Sequence, residues 1–522
     1  MDRPWLKHVA EGNPKSIEIP DISLVELFKQ STEKYPDHTA VSFFEKTYSY
    51  KKLDEAIGNF AEELYGMGIR KNDRVAIMLP NCPQYPISFY AALSCGATIV
   101  QLNPMFQPAE LLHILNDSET KALLILDRLM PSFDSIKDKT SVQHVVALAL
   151  DGDLEKGGPT GNRPRISIEP KEDVAVIQYT GGTTGLPKGA MLTHRNIVAN
   201  TLQSAATSEI RTRKGEEKVL TISPLFHVYG MTSGMSVTFY NGGSMILVPK
   251  FDVGQVVELI EKEKPTAFPG VPTMYIALLD YHRSRKFDLS CLVSCSSGSA
   301  PLPLEVLDRF NAISGTTVAE GYGLSEASPV THRNPVQGLQ KKGSIGIPLP
   351  NTDSRIVDIA TGEETLPVGA IGELVVRGPQ VMKGYWNRPE ETASAIRDNW
   401  LYTGDLAKMD EDGFFYIVGR KKEMILASGF NVYPIEVENV LYHHPAIREA
   451  AVFGVPDEYR GETVRAVVVL GEQATEEELI AYCRTQLSAY KVPEAIIFAE
   501  ELPKTAVGKI LKRVLLKQYA NL

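Results

Sequence analysis

The sequence predicts an α/β protein with more than one domain, and three observations support this. Its 522 residues exceed what a single hydrophobic core usually serves. As far as residue 344, helical and strand patterns alternate, which is typical of mostly parallel sheets covered by helices. Beyond that residue the pattern changes twice, first to short strands joined by turns and then to a compact α/β unit.

The large N-terminal part carries clear helix and strand signals. Apolar residues at helical spacing from Leu53 to Leu64, followed by Gly66 and Gly68, predict a helix that ends at the glycines. Another helix is expected to begin at residue 251. Buried strands are predicted at residues 74–79, 121–127, 173–179 and 266–268. We therefore expect two helix-covered, mostly parallel sheets in this part.

Residues 75–109 carry no charged side chain, which raises the question of a membrane span. Prolines at positions 80, 83, 86, 104 and 108 interrupt the segment, and its unbroken run is short of the roughly 20 residues that a span needs. We expect a buried helix followed by a buried strand.

The rest of the chain divides into two smaller units. Short strands are predicted at residues 354–358, 372–378 and 413–419, so residues 344–420 should form a β-rich subdomain. Strand and helix patterns then alternate in a last unit of about 100 residues, large enough to fold by itself. We expect an N-terminal domain at residues 1–420 and a C-terminal domain at residues 421–522.

Composition excludes several classes of protein. The net charge of −10, with no basic tail, argues against nucleic acid as a partner. The five cysteines are few, odd in number and without a zinc-binding pattern, which favours reduced thiols in the cytoplasm. The N-terminal stretch MDRPWLKHVAEGNPKS lacks the apolar core of a signal peptide. We expect a cytoplasmic globular protein.

One loop carries more hydrogen-bond donors than a turn needs. Residues 180–190 contain three threonines, four glycines and one lysine, directly after an expected strand. Successive N–H groups of such a turn form an anion-binding nest, and Lys188 adds a charge that can reach a phosphate. The loop is not a P-loop of the GxxxxGK[ST] type, because Lys188 follows Pro187 and no serine or threonine follows the lysine. The sequence thus predicts another kind of phosphate loop and disfavours kinase chemistry.

This loop and five further motifs resemble, in the same order, those of the acyl-adenylate-forming superfamily, which comprises acyl-CoA synthetases, luciferases and peptide-synthetase adenylation domains. The motifs are YTGGTTGLPKGAMLTH (179–194), SPLFHVYG (223–230), GYGLSEASP (321–329), YTGDLA (402–407), GRKKEMILASGFNVYP (419–434) and PKTAVGKILKR (503–513). The resemblance covers essentially the whole chain.

The resemblance implies a reaction in two steps, with ATP, Mg²⁺ and coenzyme A as cofactors. A carboxylate attacks the α-phosphate of ATP, which releases pyrophosphate and leaves an acyl-adenylate. A thiol then displaces AMP. No nucleophile of the enzyme is needed, so the protein positions the reactants and neutralises developing charge.

The resemblance assigns the reacting groups to Lys509, Glu326, Thr183 and His227. Glu326 is the implied Mg²⁺ ligand, as a hard cation that bridges phosphates prefers oxygen. Lys509, expected just before a helix starting at residue 510, would bridge the substrate carboxylate and the α-phosphate. His227 would border the carboxylate at the mouth of an acyl tunnel, although a histidine satisfied within the core remains an alternative.

Nucleotide contacts are implied for three groups of residues. The phosphate loop contributes Thr180, Gly181, Gly182, Thr183, Thr184, Gly185 and Lys188. Adenine and phosphate contacts fall on Gly298, Ser299, Ala300, Tyr322, Gly323 and Ser325, the last at a position where the family more often has threonine. Asp405 and Arg420 would hold the ribose.

The family rotates its small C-terminal domain between the two steps, and the implied hinge lies at Lys422. Ser428 and Gly429 are then expected near the channel for the pantetheine arm of coenzyme A. A hinge needs only a few residues that absorb the backbone change. The small C-terminal domain should therefore be mobile.

The match is especially close to bacterial long-chain fatty-acid–CoA ligases, through GYGLSEASPVTH and GPQVMKGYWNRPEETA. Apolar residues surround His227, as a tunnel would require, but core packing explains them as well: Phe226, Val228, Tyr229, Met231, Met235 and Val237. The expected substrates are a long-chain fatty acid and coenzyme A. A ligase that loads a carrier protein, and a CoA ligase for another apolar or aromatic acid, stay open.

Two other hypotheses predict a different product or different residues. A phosphotransferase would release ADP rather than AMP. A catalytically inactive homologue should lack Glu326 or Lys509, and both are present. The sequence leaves open a homodimer and a transient association with the inner face of the membrane.

Overall fold

The computed structural model describes residues 2–150, 152, 163–180, 187–208, 212–427, 429–457, 460–506 and 508–519. Its strands before residue 344 are β1 (Thr39–Phe43), β2 (Lys46–Ser49), β3 (Arg74–Met78), β4 (Thr98–Gln101), β5 (Ala122–Leu126), β6 (His144–Leu148), β7 (Val174–Thr180), β8 (Lys188–Thr193), β9 (Lys218–Thr221), β10 (Ser244–Leu247), β11 (Ala267–Gly270), β12 (Ser294–Ser297), β13 (Val318–Gly323) and β14 (Val330–Arg333). The later strands are β15 (Ile347–Pro348), β16 (Asp353–Val357), β17 (Gly372–Arg377), β18 (Gly384–Tyr385), β19 (Ile396–Arg397), β20 (Trp400–Met409), β21 (Phe415–Arg420), β22 (Ile425–Ala427), β23 (Phe430–Val432), β24 (Ile447–Asp457), β25 (Gly461–Leu470) and β26 (Ala495–Phe498).

The helices are α1 (Leu24–Lys34), α2 (Tyr50–Gly66), α3 (Gln84–Ser94), α4 (Pro108–Asp117), α5 (Met130–Asp134), α6 (His194–Ala206), α7 (Val237–Tyr240), α8 (Val253–Glu263), α9 (Pro272–Ser284), α10 (Leu304–Ser314), α11 (Pro389–Ala395), α12 (Pro434–Tyr442), α13 (Glu476–Gln486) and α14 (Lys512–Tyr519). A π-helical segment, Gly230–Ser236, leads into α7.

The first large sheet has seven strands in the order β18-β8-β7-β4-β3-β5-β6. Strands β3 to β7 pair in parallel, whereas β8 pairs antiparallel with β7 and β18. Every residue of β5 is buried, which is why this strand appears in the sequence as a continuous apolar run. Helix α3 is buried along its whole length, so the uncharged segment is a core helix followed by a buried strand, as predicted.

The second large sheet has nine strands in the order β15-β14-β13-β12-β11-β9-β10-β1-β2. Its centre is parallel, and its two ends turn antiparallel at β13–β14 and β1–β2. The carboxyl ends of parallel strands meet at one edge of a sheet, where α/β proteins bind ligands. The prediction of two helix-covered, mostly parallel sheets is confirmed.

A small antiparallel sheet follows, in the order β16-β17-β20-β19 with β21 paired to β20. This is the β-rich unit that the sequence predicts, but β20 was not among the predicted strands. Its register places Asp405 directly opposite Arg420.

The last unit consists of β23-β22-β25-β24, with β26 parallel to β25. Alternate residues of β25 face opposite sides: Val464 and Val468 pack in the cluster that holds α12 and α13, whereas Val467 packs with Leu515 of α14. The helix expected from residue 510 begins later, at Lys512, because Ile510 forms a β-bridge with Lys504. Among the helices of the described segments, none has the length and apolar character needed to cross a bilayer.

Candidate active site

Most of the motif residues meet in one cleft of about 1980 Å³, which all three parts of the chain line. The predicted site residues in its wall are Thr180, Lys188, His227, Gly298, Ser299, Tyr322, Gly323, Ser325, Glu326, Arg420, Lys422 and Lys509. Asp405 lies behind this wall, bonded to Tyr322 and Arg420. Ala300 and Gly429 do not contribute to the lining.

The structure describes the two ends of the phosphate loop. Gly181, Gly182, Thr183, Thr184, Gly185 and Ser428 lie outside the described residues. Thr180 and Lys188, at the two ends of the loop, are cross-strand partners on β7 and β8, and both line the cleft. The loop therefore begins and ends at the cleft wall.

Tyr322, Asp405 and Arg420 form one connected group. The Tyr322 hydroxyl donates to Asp405 Oδ2 at 2.5 Å, and Arg420 Nε lies 3.1 Å from Asp405 Oδ1. Asp405 is only 4% exposed. Burial and then the Asp405 charge raise the pKa of Tyr322, so the phenol stays protonated as the donor. For Arg420, burial is outweighed by the attraction of Asp405, and the pKa of Arg420 is raised.

Only one oxygen of the Glu326 carboxylate is hydrogen-bonded within the described chain. The Tyr385 hydroxyl donates to Glu326 Oε1 at 2.8 Å, and the Glu326 backbone oxygen accepts from Met382 N–H at 2.8 Å. Oε2 has no hydrogen-bond partner in the part of the chain that the structure describes. No group of three or more metal-ligating side chains occurs there either. One available carboxylate oxygen in a cleft fits Mg²⁺, which keeps several waters and takes its other ligands from phosphates.

Lys188 lies beside Tyr385 and Glu391. Its Nζ lies 3.9 Å from Glu391 Oε1 and 5.4 Å from the centre of the Tyr385 ring. Sequence reasoning gave no role to Tyr385 or Glu391. Their only signal was their position in GYWNRPEETA, which had served to match a substrate class.

His227 is neutral at the cleft wall. Burial lowers the pKa of His227 to about 4, and its Nδ1 accepts the Tyr229 N–H at 3.3 Å. The proton of the neutral ring is therefore on Nε2. Gly230 makes this turn possible, because a Cβ there would lie 2.1 Å from the Pro224 oxygen.

The apolar residues around His227 divide between cleft and core. Phe226, Val228, Tyr229 and Val237 line the cleft. Met231 and Met235 are buried in the hydrophobic core instead. Core packing therefore accounts for the two methionines, and the acyl tunnel stays a prediction for the four residues that line the cleft.

Lys509 reaches the cleft from a tight loop of the C-terminal unit. Lys509 N–H donates to Thr505 Oγ1 at 3.1 Å, and Thr505 N–H donates to the Lys509 oxygen at 2.8 Å. Gly508 has a φ of 76° and packs on Thr273, where an added Cβ would lie 3.0 Å from the Thr273 hydroxyl. Lys504 is bound to Glu449 at 2.6 Å, while Lys509 Nζ has no such partner within the described chain.

Charged neighbours shift the pKa of Lys509, and they show which residues lie near its ammonium group. Burial lowers the pKa of Lys509, the positive charge of Arg420 lowers it further, and Asp405 opposes both. The ammonium group therefore lies near the Tyr322–Asp405–Arg420 group. An anion bound between Lys509, Lys188 and Arg420 would meet positive charge from two parts of the chain.

The segment after Arg420 is tied on both sides. Glu373, which is 5% exposed, accepts Gly404 N–H at 3.1 Å and binds Lys421 Nζ at 3.0 Å. Glu423 lies 3.5 Å from Lys512. Lys422 thus sits in a short turn, Lys421–Glu423, between these two contacts.

Comparison with known proteins agrees with this arrangement. The family model for the AMP-binding enzyme matches residues 28–386, and that for the AMP-binding enzyme C-terminal domain matches residues 436–509. The chain is 46% identical to a long-chain-fatty-acid–CoA ligase of Bacillus subtilis (strain 168), over 99% of this chain and 98% of that protein.

Two solved structures of one protein allow a comparison of conformation. ATP-bound MatB from Rhodopseudomonas palustris superposes with a TM-score of 0.86 at 32% identity, over 96% of this chain and 99% of that one. The apo form of MatB, at the same identity and coverage, gives 0.76. The arrangement described here is therefore closer to the ATP-bound form. The two family models and the full-length relative show that the chain belongs to the AMP-binding enzymes, the acyl-adenylate-forming family that its motifs resemble.

Proposed function

We propose that the protein is an ATP-dependent long-chain fatty-acid–CoA ligase that works through an acyl-AMP intermediate. The observation that carries this proposal is the meeting, in one cleft, of Lys509 with Glu326 and the Tyr322–Asp405–Arg420 group. A full-length relative at 46% identity bears the name of this activity.

In the first half-reaction, the residues of the cleft position two anions and balance their charge. Asp405 and Arg420 hold the ribose, Tyr322 borders the adenine with Gly298, Ser299, Ala300 and Gly323, and Ser325 contacts a phosphate. The loop from Thr180 to Lys188 receives the outer phosphates. His227, neutral with its proton on Nε2, can donate a hydrogen bond to the fatty carboxylate without an ion pair that would weaken it as a nucleophile.

Lys509 joins the reacting groups. Its ammonium, held near Arg420 and without a carboxylate partner in the described chain, can bridge the attacking carboxylate and the α-phosphate, where negative charge builds up. Glu326 would hold Mg²⁺ through the oxygen that Tyr385 leaves available, and the ion would supply charge neutralisation of the phosphates.

The second half-reaction needs space for a thiol. Lys509 enters the cleft from the C-terminal unit, so that unit must move before the thiol arrives. We place the pivot at Lys422, with the N-terminal domain at residues 1–420 and a mobile C-terminal domain at residues 421–522. Ser428 and Gly429, the latter with a φ of 80°, then approach the pantetheine arm.

A ladder of acids from acetate to oleate, supplied with ATP, Mg²⁺ and coenzyme A, tests the proposal. We expect pyrophosphate and acyl-CoA in equal amounts, with the highest kcat/KM for acids of long chain. ADP as the product would refute acyl-adenylate chemistry. Adenylate that accumulates without reaction with coenzyme A would instead support the ligase that loads a carrier protein.

The proposal includes a cytoplasmic enzyme. Among the described residues, Cys82, Cys95 and Cys483 are buried and form no disulfide bond, which suits a reducing compartment. Contact with the inner face of the membrane, to collect fatty acid, and a homodimer are tested by vesicle sedimentation and by light scattering.

A further inference from the structure

Arg333, the last residue of β14, lies in the wall of the cleft and has no counter-ion among the residues that the structure describes. It lines the cleft, yet no carboxylate lies within ion-pairing distance of it in the described segments. The other half-buried arginines of this wall are paired: Arg388 with Asp117 at 2.7 Å, and Arg420 with Asp405 at 3.1 Å. An unpaired charge that is shielded from water is costly, so Arg333 calls for a ligand.

Strand geometry shows which side of the cleft Arg333 faces. On β13 and β14, Tyr322 lies opposite His332, and their rings contact each other at 6.0 Å on one face. Arg333 lies opposite Gly321 and therefore points to the other face, away from the ribose group. Because Gly321 has no side chain, the stem of Arg333 passes over its backbone, 3.8 Å from where a Cβ would be.

The guanidinium lies between the end of α6 and Tyr229. Arg333 Nη1 donates to Thr207 Oγ1 at 3.3 Å, and Thr207 in turn donates to the Ser204 oxygen at 2.8 Å. Burial lowers the pKa of Arg333, and the hydroxyls of Tyr229 and Tyr275 oppose this, which places them near the guanidinium. Tyr229 is two residues from His227, so this is the acyl side of the site.

The same wall also holds a hydroxyl donor that is not satisfied by the described residues. The Ser204 hydroxyl is buried and has no hydrogen-bond partner among the described residues, although its residue lines the cleft. Glu217, also in the lining, does not serve Arg333: its carboxylate is taken by Arg213 N–H at 2.7 Å and by the Thr266 hydroxyl. A plain hydrocarbon tail would offer neither a counter-ion to Arg333 nor a hydrogen-bond acceptor to the Ser204 hydroxyl.

We propose that the acyl pocket accepts fatty acids with a second carboxylate on the tail, and that Arg333 binds this distal carboxylate. A guanidinium fork matches a carboxylate in geometry as well as charge. A site with such donors favours the acid that satisfies them over the analogue that cannot. The inference rests on the proposed function, since it assumes that the acid's reacting carboxylate lies at His227.

The test compares α,ω-dicarboxylic acids of increasing length with monocarboxylic acids of equal length. Because Arg333 is fixed relative to His227, we expect a distinct optimum of length among the dicarboxylic acids. In Arg333→Met, kcat/KM for the best dicarboxylic acid should fall at least about tenfold, while that for the matched monocarboxylic acid is kept or rises. Arg333→Lys should retain part of the preference.

Arg397→Met is the matched control, since Arg397 lines another wall of the same cleft. It should leave the ratio of the two acids unchanged. Thermal unfolding tests whether Arg333 has only a structural role. Without ligand, Arg333→Met should be as stable as the parent. The dicarboxylic acid should raise the melting temperature of the parent only.

The outcomes separate this inference from the proposed function. If monocarboxylic acids are turned over but the ratio is the same in the parent and Arg333→Met, the inference is wrong and the proposed function stands. If no fatty acid of either kind gives an acyl-CoA, the proposed function itself fails. Loss of both acids together in Arg333→Met, with lowered stability, would make Arg333 a structural residue and overturn the inference.

Discussion

The hydroxyl of Tyr385 donates to Oε1 of Glu326 at 2.8 Å, so that the protein fixes one oxygen of this carboxylate while the structure shows no hydrogen-bond partner for the other among the residues it describes. Tyr385 is in β18, at the edge of the first large sheet, and Glu326 follows β13 of the second. The hydrogen bond thus joins the two sheets at the cleft.

Replacing Tyr385 with phenylalanine should raise the Mg²⁺ concentration that adenylation requires. The change removes the donor that orients Glu326 and keeps the ring beside Lys188. We expect the Mg²⁺ concentration for half-maximal pyrophosphate exchange to rise roughly tenfold, and Mn²⁺ binding with ATP, followed by electron paramagnetic resonance, to weaken in parallel. Tyr416→Phe, which removes a hydroxyl bound to Asp410, is the control. An unchanged Mg²⁺ profile in Tyr385→Phe would contradict the positioning role.

Replacing Lys509 with alanine should separate the half-reactions. Adenylate formation, measured by pyrophosphate exchange, should fall by about a thousandfold, because we propose that the ammonium acts where charge develops. Thioester formation from supplied acyl-AMP should be nearly unaffected. Lys504→Gln, which keeps a donor for Glu449, should affect neither step strongly. Equal loss of both half-reactions in Lys509→Ala would count against domain alternation.

Replacing Gly508 with valine should mimic part of the Lys509 defect without removing a charge. The backbone at this position has a φ of 76°, which costs a β-carbon residue about 1–2 kcal/mol, and the new side chain would press on Thr273. Adenylation should fall about tenfold while supplied acyl-AMP still reacts. Thr273→Ser, which keeps the space beside Gly508, is the control, and a uniform loss in both steps would show general misfolding instead.

Mild acid should destabilise the fold through two buried histidines and one half-buried histidine at the cleft wall. Burial lowers the pKa of His194 and His227 to about 4 and that of His332 to about 3. Unfolding lets each ring bind a proton below its ordinary pKa of 6.5, so the unfolded state gains protons that the folded state does not hold. Stability is complete above pH 6.5 and falls as the pH drops towards 4, by up to roughly 3 kcal/mol for each ring.

The His332→Leu variant tests this pH dependence. Its melting temperature between pH 7 and pH 4.5 should decline less than that of the parent, because leucine takes up no proton. Parallel curves for the two proteins would assign the acid sensitivity to other groups.

The strands that can be predicted from the sequence are those buried on both faces. Strands β3, β5 and β7 are buried on both faces, so their apolar runs are visible without any tertiary information. Strand β20 was missed because Thr403, Gly404 and Asp405 interrupt it with turn residues. Its neighbours β17 and β21 hold this segment extended, which no local pattern can indicate.

The residues of the candidate site also divide into those that the sequence analysis named and those that it missed. The resemblance named Tyr322, Asp405, Arg420 and Lys509, and the structure places all of them together. Tyr385 and Arg333 were missed, as each becomes notable only through what the fold sets beside it: a carboxylate in one case and no carboxylate in the other. The phosphate-loop threonine Thr183 stays a prediction.

Arg420 is the final residue of β21 as well as the partner of Asp405, and the turn of the proposed pivot begins at the next residue. A nucleotide bound at Asp405, as proposed above, would act on the Asp405–Arg420 pair, which lies immediately before the proposed pivot. This coupling favours a kinetic mechanism of compulsory order, in which ATP loads first, coenzyme A second, and AMP departs only after the thioester has formed.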